Sequence, residues 1–128
     1  MNIVLIEDDP DCFVNYEVFL KERQHNVKTY IEADDVVKDI EQIVKSDVVI
    51  LDLMIQLGTE IKPEEADETG IAIYKRLRVL SSNLRIVVLT ARSKADVWRY
   101  FSNDKNVRFI AKPISNIDSF YETIERWI

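Results

Sequence analysis

Side chains capable of phosphoryl chemistry follow the apolar runs of this 128-residue sequence. They are two neighbouring acids, a lone aspartate, a threonine and a lysine: Glu7 and Asp8, Asp52, Thr90, and Lys112. Carboxylates held together repel and raise one another's pKa, and a hard cation such as Mg²⁺ relieves that repulsion. An ionised aspartate can attack phosphorus and form an acyl phosphate. The pattern therefore indicates an aspartyl phosphoacceptor at Asp52.

The other polar groups have complementary tasks in such a transfer, because the oxygens of a transferred phosphoryl group must be neutralised. The metal takes one oxygen, Lys112 takes another and the Thr90 hydroxyl donates to a third, while the small Ala91 leaves room. Each element alone is weak, since acids before a proline usually form a turn and Lys112-Pro113 is a common loop dipeptide. Their joint placement at strand ends carries the prediction.

Five short apolar runs are predicted to be the strands that position these groups. The first, third and fourth are uniformly apolar, as expected of central parallel strands that are covered on both faces. The second and fifth carry Lys28 and Arg108 and are predicted to be edge strands. The runs cover residues 3–6, 27–30, 48–51, 86–89 and 107–110.

Helical patterns separate the runs. Apolar residues recur at helical spacing in five segments: 11–20, 36–44, 71–80, 94–101 and 117–124. Alternating strands and helices predict an α/β domain with right-handed crossovers and helices on both faces of a parallel sheet. Sites in such sheets form outside the carboxyl ends of the strands, where the polar groups lie.

One segment interrupts this alternation. Residues 58–68, GTEIKPEEADE, have no apolar period and carry five acids and one lysine. The sequence predicts an extended, exposed loop after the third strand, and loops of this length are often functional. We refer to residues 57–69 as the acidic insert.

Composition narrows the class of protein. The apolar content of 47% suits one compact domain, and the net charge of −6 disfavours direct binding to nucleic acid. One cysteine, Cys12, excludes an intrachain disulfide and fits a cytoplasmic location. No apolar run approaches the roughly 18 residues of a membrane span, so membrane insertion is not expected.

Taken together, the Glu7-Asp8 pair, Asp52, the Thr90-Ala91 pair and Lys112-Pro113 resemble a response-regulator receiver domain of two-component systems. The resemblance covers residues 1–128 and implies a single receiver domain. It implies a flavodoxin-like, doubly wound, five-stranded parallel sheet of order 2-1-3-4-5 with five helices.

The resemblance also implies the roles of the site residues. Asp52 would accept a phosphoryl group from a phosphohistidine on a sensor histidine kinase or phosphotransfer protein. The carboxylates of Asp8 and Asp52 and the backbone carbonyl of Met54 would bind Mg²⁺, or Mn²⁺ in its place, with Glu7 contacting the ion mainly through water. Self-phosphorylation and autodephosphorylation at Asp52 would be the only catalysis.

A conformational switch is implied as well. Thr90, Ala91 and Lys112 would contact the phosphoryl group, and Phe109 occupies the position of the family's aromatic switch residue. Inward movement of Thr90 and Phe109 would change the surface of the fourth helix, fifth strand and fifth helix, which would control a downstream protein partner.

Two departures from the family pattern leave alternatives open. Gln56 stands where the family usually has proline, which is expected to loosen the loop, and the acidic insert is longer than the usual loop. Both features motivate a second hypothesis, a protein-interaction module that works without phosphorylation. An aspartyl phosphatase is disfavoured, because Met54 stands where such an enzyme needs a second acid.

Overall fold

The computed structural model describes residues 1–65 and 68–127. Five strands and six α-helices alternate along this part of the chain, with two short 3₁₀ turns at Pro63–Glu65 and Trp98–Tyr100. The strands are β1 (Asn2–Ile6), β2 (Asn26–Tyr30), β3 (Val48–Asp52), β4 (Arg85–Thr90) and β5 (Val107–Ala111). The helices are α1 (Pro10–Glu22), α2 (Ala33–Lys38), α3 (Ile40–Ile43), α4 (Thr69–Leu80), α5 (Lys94–Val97) and α6 (Ile117–Glu125).

The strands form one parallel sheet of order β2-β1-β3-β4-β5, which confirms the predicted flavodoxin-like topology. All five residues of β3 are buried, because this strand lies at the centre with helices on both faces. The predicted edge strands, β2 and β5, do lie at the edges. The register places Asp52 beside Leu89 and Thr90 beside Ala111, so the polar strand ends meet at one edge of the sheet.

Alternate residues of the strands supply two cores, one on each face of the sheet. Val49 and Leu51 point into the core under α2 to α5, whereas Val48 and Ile50 point into the core under α1 and α6. Burying each such side chain contributes roughly 1.5–3 kcal/mol to folding. Because both faces of the sheet are covered, the side chains on both sides of each central strand must be apolar.

The prediction of five helices was wrong in its count. The apolar stripe over residues 36–44 divides into α2 and α3 at Asp39, whose backbone leaves the helical region with ψ of 13°. The Asp39 carboxylate accepts a hydrogen bond from the Tyr30 hydroxyl at 3.0 Å, so the residue at the break is held against β2. The segment predicted as a helix over 94–101 is α5 followed by the 3₁₀ turn. No helix within the described ranges has the length and apolar character to cross a membrane.

Residues 57–65 of the acidic insert are exposed, as the sequence predicts, with the exception of Ile61, but several contacts attach them to the domain. The Asp34 carboxylate, near the start of α2, accepts hydrogen bonds from the Thr59 amide at 2.8 Å and the Glu60 amide at 2.9 Å. These bonds lower the pKa of Asp34. The next residue, Ile61, is only 2% exposed and belongs to the core under α2 to α5. The buried Ile61 side chain and the Asp34 carboxylate therefore hold the first half of the insert in place.

A second anchor fixes the following turn. Arg76 of α4 binds the Glu65 carboxylate with an Nη2–Oε1 distance of 2.6 Å and also donates to the Glu60 carbonyl at 3.2 Å. Residues 66 and 67 of the insert lie outside the described part of the chain. The insert is thus attached to both α2 and α4.

Removing the first anchor should release the insert without unfolding the domain. In Asp34→Ala, the amides of Thr59 and Glu60 lose their acceptor, so their hydrogen exchange should accelerate severalfold in measurements by mass spectrometry. Asp35→Ala, a change of the neighbouring exposed aspartate on the same helix, is the matched control and should leave that exchange rate unaltered. Equal exchange in the two variants would show that Asp34 does not hold the insert.

Candidate functional site

The predicted phosphoacceptor, Asp52, is the last residue of β3 and is 2% exposed. Its Oδ1 accepts a hydrogen bond from the Met54 amide at 3.0 Å, and its Oδ2 lies 3.6 Å from the Lys112 ammonium. A buried carboxylate is stable only when it is paired and hydrogen-bonded. These two partners explain how an aspartate is accommodated at the end of an apolar strand.

The two acids after β1 lie beside Asp52. The Glu7 amide donates to the Tyr30 carbonyl at 3.1 Å, which extends the sheet bonding by one residue and brings the Glu7 side chain inward, where its exposure is 0%. Carboxylate oxygens of Glu7, Asp8 and Asp52 all lie within 4.8 Å of one another. Oxygen-only donors at this spacing fit a hard cation such as Mg²⁺.

Lys112 connects the acids to the last strand. Its Nζ donates to both carboxylate oxygens of Glu7, at 2.9 and 3.0 Å, and its amide donates to the Thr90 carbonyl at 2.9 Å. The backbone bond fixes the start of the side chain and the carboxylates fix its end. The predicted lysine is therefore in contact with the predicted acids.

The site has a distinctive electrostatic balance. Burial raises the pKa of Glu7 to about 7, with a further contribution from the charge of Asp52, while the hydrogen bond from Lys112 opposes the increase. Burial alone would lower the pKa of Lys112, but its hydrogen bond with Glu7 and the charge of Asp52 outweigh this effect and raise it. Lys112 therefore stays charged, whereas Glu7 is close to the balance between its neutral and ionised forms at neutral pH.

Thr90 lies on the neighbouring strand end and is 2% exposed. Its Oγ1 accepts a hydrogen bond from the Arg92 amide at 3.0 Å, which leaves the hydroxyl proton available as a donor. Ala91 follows at an exposed position and presents only a methyl group. The sheet thus brings the predicted Thr90-Ala91 pair to the same edge as Asp52.

The predicted switch aromatic, Phe109, is half-buried on β5. Its ring centroid lies 5.3 Å from that of Phe101 and 5.8 Å from that of Trp98, which is 43% exposed. This aromatic group connects β5 to the turn after α5. A movement of Phe109 would consequently displace the exposed Trp98 ring.

Two contributors to the site were missed by the sequence analysis. The Gln56 amide donates to Asp8 Oδ2 at 3.1 Å, a bond that the family's usual proline, having no N–H, cannot make. The Gln56 amide therefore binds an acidic side chain at the site. The replacement of proline by Gln56 could be seen in the sequence, but the sequence did not indicate that the Gln56 amide binds Asp8.

Gly70 is the second missed residue. A Cβ at this position would lie 2.3 Å from the Leu53 Cα and 2.7 Å from the Asp52 carbonyl oxygen. The Gly70 amide also donates to the Leu53 carbonyl at 3.1 Å. The first turn of α4 therefore packs directly on the phosphoacceptor strand end, and only glycine allows this approach.

Comparisons with known proteins agree with this geometry. The family model for the response regulator receiver domain matches residues 3–125. The comparison with curated protein sequences finds no match.

Solved structures share the fold at low sequence identity. A two-component response regulator from Clostridium difficile superposes with a TM-score of 0.79 at 18% identity, over 99% of this chain and 94% of that one. A CheY-like receiver domain protein from Methanospirillum hungatei JF-1 gives 0.76 at 14% identity, over 98% and 92%. The response regulator TrrA from Thermotoga maritima, in complex with Mg(2+)-BeF, gives 0.76 at 19% identity, over 99% and 98%. The chain therefore belongs to the family of response-regulator receiver domains of two-component systems.

Proposed function

We propose that Asp52 accepts a phosphoryl group from a phosphohistidine on a sensor histidine kinase or phosphotransfer protein. The observation that carries the proposal is the convergence of three carboxylates within 4.8 Å, on Glu7, Asp8 and Asp52, with the Lys112 ammonium 3.6 Å from Asp52. This arrangement combines a nucleophile, oxygen ligands for a cation and a fixed positive charge at one edge of the sheet.

Glu7, Asp8, Asp52 and the backbone carbonyl of Met54 would hold Mg²⁺, for which Mn²⁺ could substitute. When bound, the ion supplies charge neutralisation for the acids and for the incoming phosphoryl oxygens. A carboxylate oxygen of Asp52 forms the new bond to phosphorus as the bond to the donor imidazole nitrogen breaks, and that nitrogen keeps the electron pair. No substrate other than the phosphodonor is consumed.

Lys112 and Thr90 stabilise the transferred group. Lys112 turns from its hydrogen bonds with Glu7 toward one phosphoryl oxygen, and the Thr90 hydroxyl donates to another. Ala91 keeps the volume beside Thr90 small enough for the group to enter. Both contacts are made to phosphoryl oxygens on which negative charge develops during transfer. Donors that are already in place for this charge lower the barrier.

The output follows from the aromatic group. Phosphorylation adds close to two negative charges and strong acceptor oxygens, which would accept the Thr90 hydroxyl proton while Thr90 Oγ1 accepts from the Arg92 amide. Movement of Thr90 and Phe109 would change the surface of α5, β5 and α6, which we assign to a downstream protein partner. The Trp98 ring, exposed beside Phe109, lies on that surface.

The direct test is the intact mass of the protein after incubation with Mg²⁺ and acetyl phosphate. The wild-type protein should gain one phosphoryl group, and Asp52→Ala or addition of EDTA should abolish the gain. Asp47→Ala, which removes an aspartate before the start of β3, is the control and should be phosphorylated as the wild type is. Failure of both acetyl phosphate and a phosphohistidine donor to modify Asp52 would refute the proposal and favour the phosphorylation-independent interaction module.

A further inference from the structure

An ion pair joins the end of the acidic insert to the loop that follows β4. The Glu68 carboxylate accepts a hydrogen bond from Arg92 Nη1, and the two side chains are 12% and 40% exposed. Glu68 is the N-cap residue of α4, but its side chain makes no capping hydrogen bond. Its contact with Arg92 is therefore not part of a cap at the start of the helix.

Arg92 is connected to Thr90 as well. The Arg92 amide donates to Thr90 Oγ1 at 3.0 Å, so one residue contacts the threonine hydroxyl through its backbone and the insert through its side chain. Displacement of Thr90 must lengthen the first contact or carry Arg92 with it. In the second case, the pair with Glu68 is strained.

The other end of the pair is fixed. The Glu68 carbonyl accepts hydrogen bonds from the amides of Ile71 and Ala72 at 3.1 and 3.2 Å, and Gly70 is bound to the Leu53 carbonyl. Glu68 therefore belongs to the helix turn that packs against the phosphoacceptor strand. Arg92 is held by an element that cannot follow it.

The pair can also release. Glu68 Oε2 is buried and has no hydrogen-bond partner within the described part of the chain, so Arg92 engages only one of the two carboxylate oxygens. Bidentate Arg–carboxylate pairs are the strong ones, and a pair that leaves an oxygen unsatisfied is weaker. A phosphoryl group on Asp52 adds a competing set of anionic oxygens at the same edge of the sheet.

We propose that Glu68 is a positioning residue: by holding Arg92 it keeps the loop after β4, with Thr90, in the unphosphorylated conformation. The proposal rests on the proposed function of Asp52. It makes the insert part of the switch, because a contact that exists in only one of two conformations shifts their populations.

The first experiment needs no ligand. In Glu68→Ala, hydrogen exchange at the Arg92 amide should accelerate about two- to fivefold, the range that loss of a partly exposed ion pair supplies. Glu65→Ala is the matched control, because it removes an ion pair with Arg76 from the same insert but does not touch the loop after β4. Equal exchange in the two variants would overturn the proposal.

The second experiment measures the switch itself. Trp98 fluorescence, read in a Trp127→Phe background, follows binding of beryllofluoride with Mg²⁺ as a stand-in for the phosphoryl group. Glu68→Ala should bind about two- to fivefold more tightly, Glu65→Ala should match the wild type, and the reversed pair Glu68→Arg with Arg92→Glu should return toward it. Unchanged affinity in Glu68→Ala would overturn the proposal. A wild-type protein that binds no beryllofluoride would instead refute the proposed function, while the exchange experiment still decides whether Glu68 positions Arg92.

Discussion

Lys112→Met is expected to lower the free energy of unfolding by about 3 kcal/mol at pH 8, because it leaves a buried ion cluster without its cation. Glu7 and Asp52 are 0% and 2% exposed, and Lys112 contacts both carboxylates. The variant should also lose most of its phosphorylation rate. Urea denaturation in EDTA measures the stability change without a contribution from metal.

The loss of unfolding free energy in Lys112→Met should be smaller at pH 5 than at pH 8, because Glu7 takes up a proton as the pH falls. The pKa of Glu7 is raised by burial from 4.5 to about 7, so the folded protein binds this proton more tightly than the unfolded chain does. The corresponding stability is fully present below pH 4.5 and is lost as the pH rises through 7. Without Lys112 the pKa of Glu7 increases further. At pH 5 Glu7 is then neutral, so the cluster carries one buried negative charge fewer than at pH 8.

The control for this experiment is Lys105→Met, which removes an exposed lysine. It should change stability by less than about 0.5 kcal/mol at either pH. An equal loss at pH 5 and pH 8 in Lys112→Met would contradict the assignment of Glu7 as the group that takes up the proton.

Gly70→Ala is expected to destabilise the domain by about 3 kcal/mol, at the upper end of the range for overpacking. The added Cβ would lie 2.3 Å from the Leu53 Cα, a backbone atom that cannot turn away. Alanine gains about 1 kcal/mol of helix propensity over glycine, which is too little to offset the clash. The displaced strand end should also slow phosphorylation of Asp52.

Gly58→Ala provides the matched comparison. Its Cβ would lie 2.3 Å from Asp34 Oδ1 and 2.5 Å from Asp34 Cγ, but these atoms belong to a side chain that can rotate. The loss of stability should therefore be clearly smaller than in Gly70→Ala, and it should be accompanied by faster exchange of the Thr59 amide. Similar losses from urea denaturation of the two variants would show that backbone proximity does not govern the effect.

The strand order and the acidic edge could be predicted because they depend on local patterns. Uniformly apolar runs identify central strands, and the carboxyl ends of parallel strands must meet, so the proximity of Glu7, Asp52 and Lys112 follows from the sequence pattern. The break at Asp39 could not be foreseen in the same way. The Asp39 side chain at the break is bonded to the Tyr30 hydroxyl of β2, a partner that helical periodicity does not indicate.

The path of the insert was the least predictable feature. Its acids correctly indicated solvent exposure of residues 57–60 and 62–65, but they gave no sign that Asp34, 25 residues earlier in the chain, binds the Thr59 amide or that Ile61 lies in the core. The contacts of Gln56 with Asp8 and of Glu68 with Arg92 likewise join residues that are 48 and 24 positions apart in the chain. Long-range partners of backbone amides carry no signal in residue type or spacing.

The double attachment of the insert has a practical consequence for spectroscopy. Asp34 and Arg76 hold the segment on either side of Glu64, whose own side chain is exposed. A spin label or fluorophore attached through a cysteine at this position, in a Cys12→Ser background, would share the orientation of the domain. Distances measured from this label to a labelled partner would therefore report the docking geometry, because motion of the loop would broaden the distance distribution only slightly.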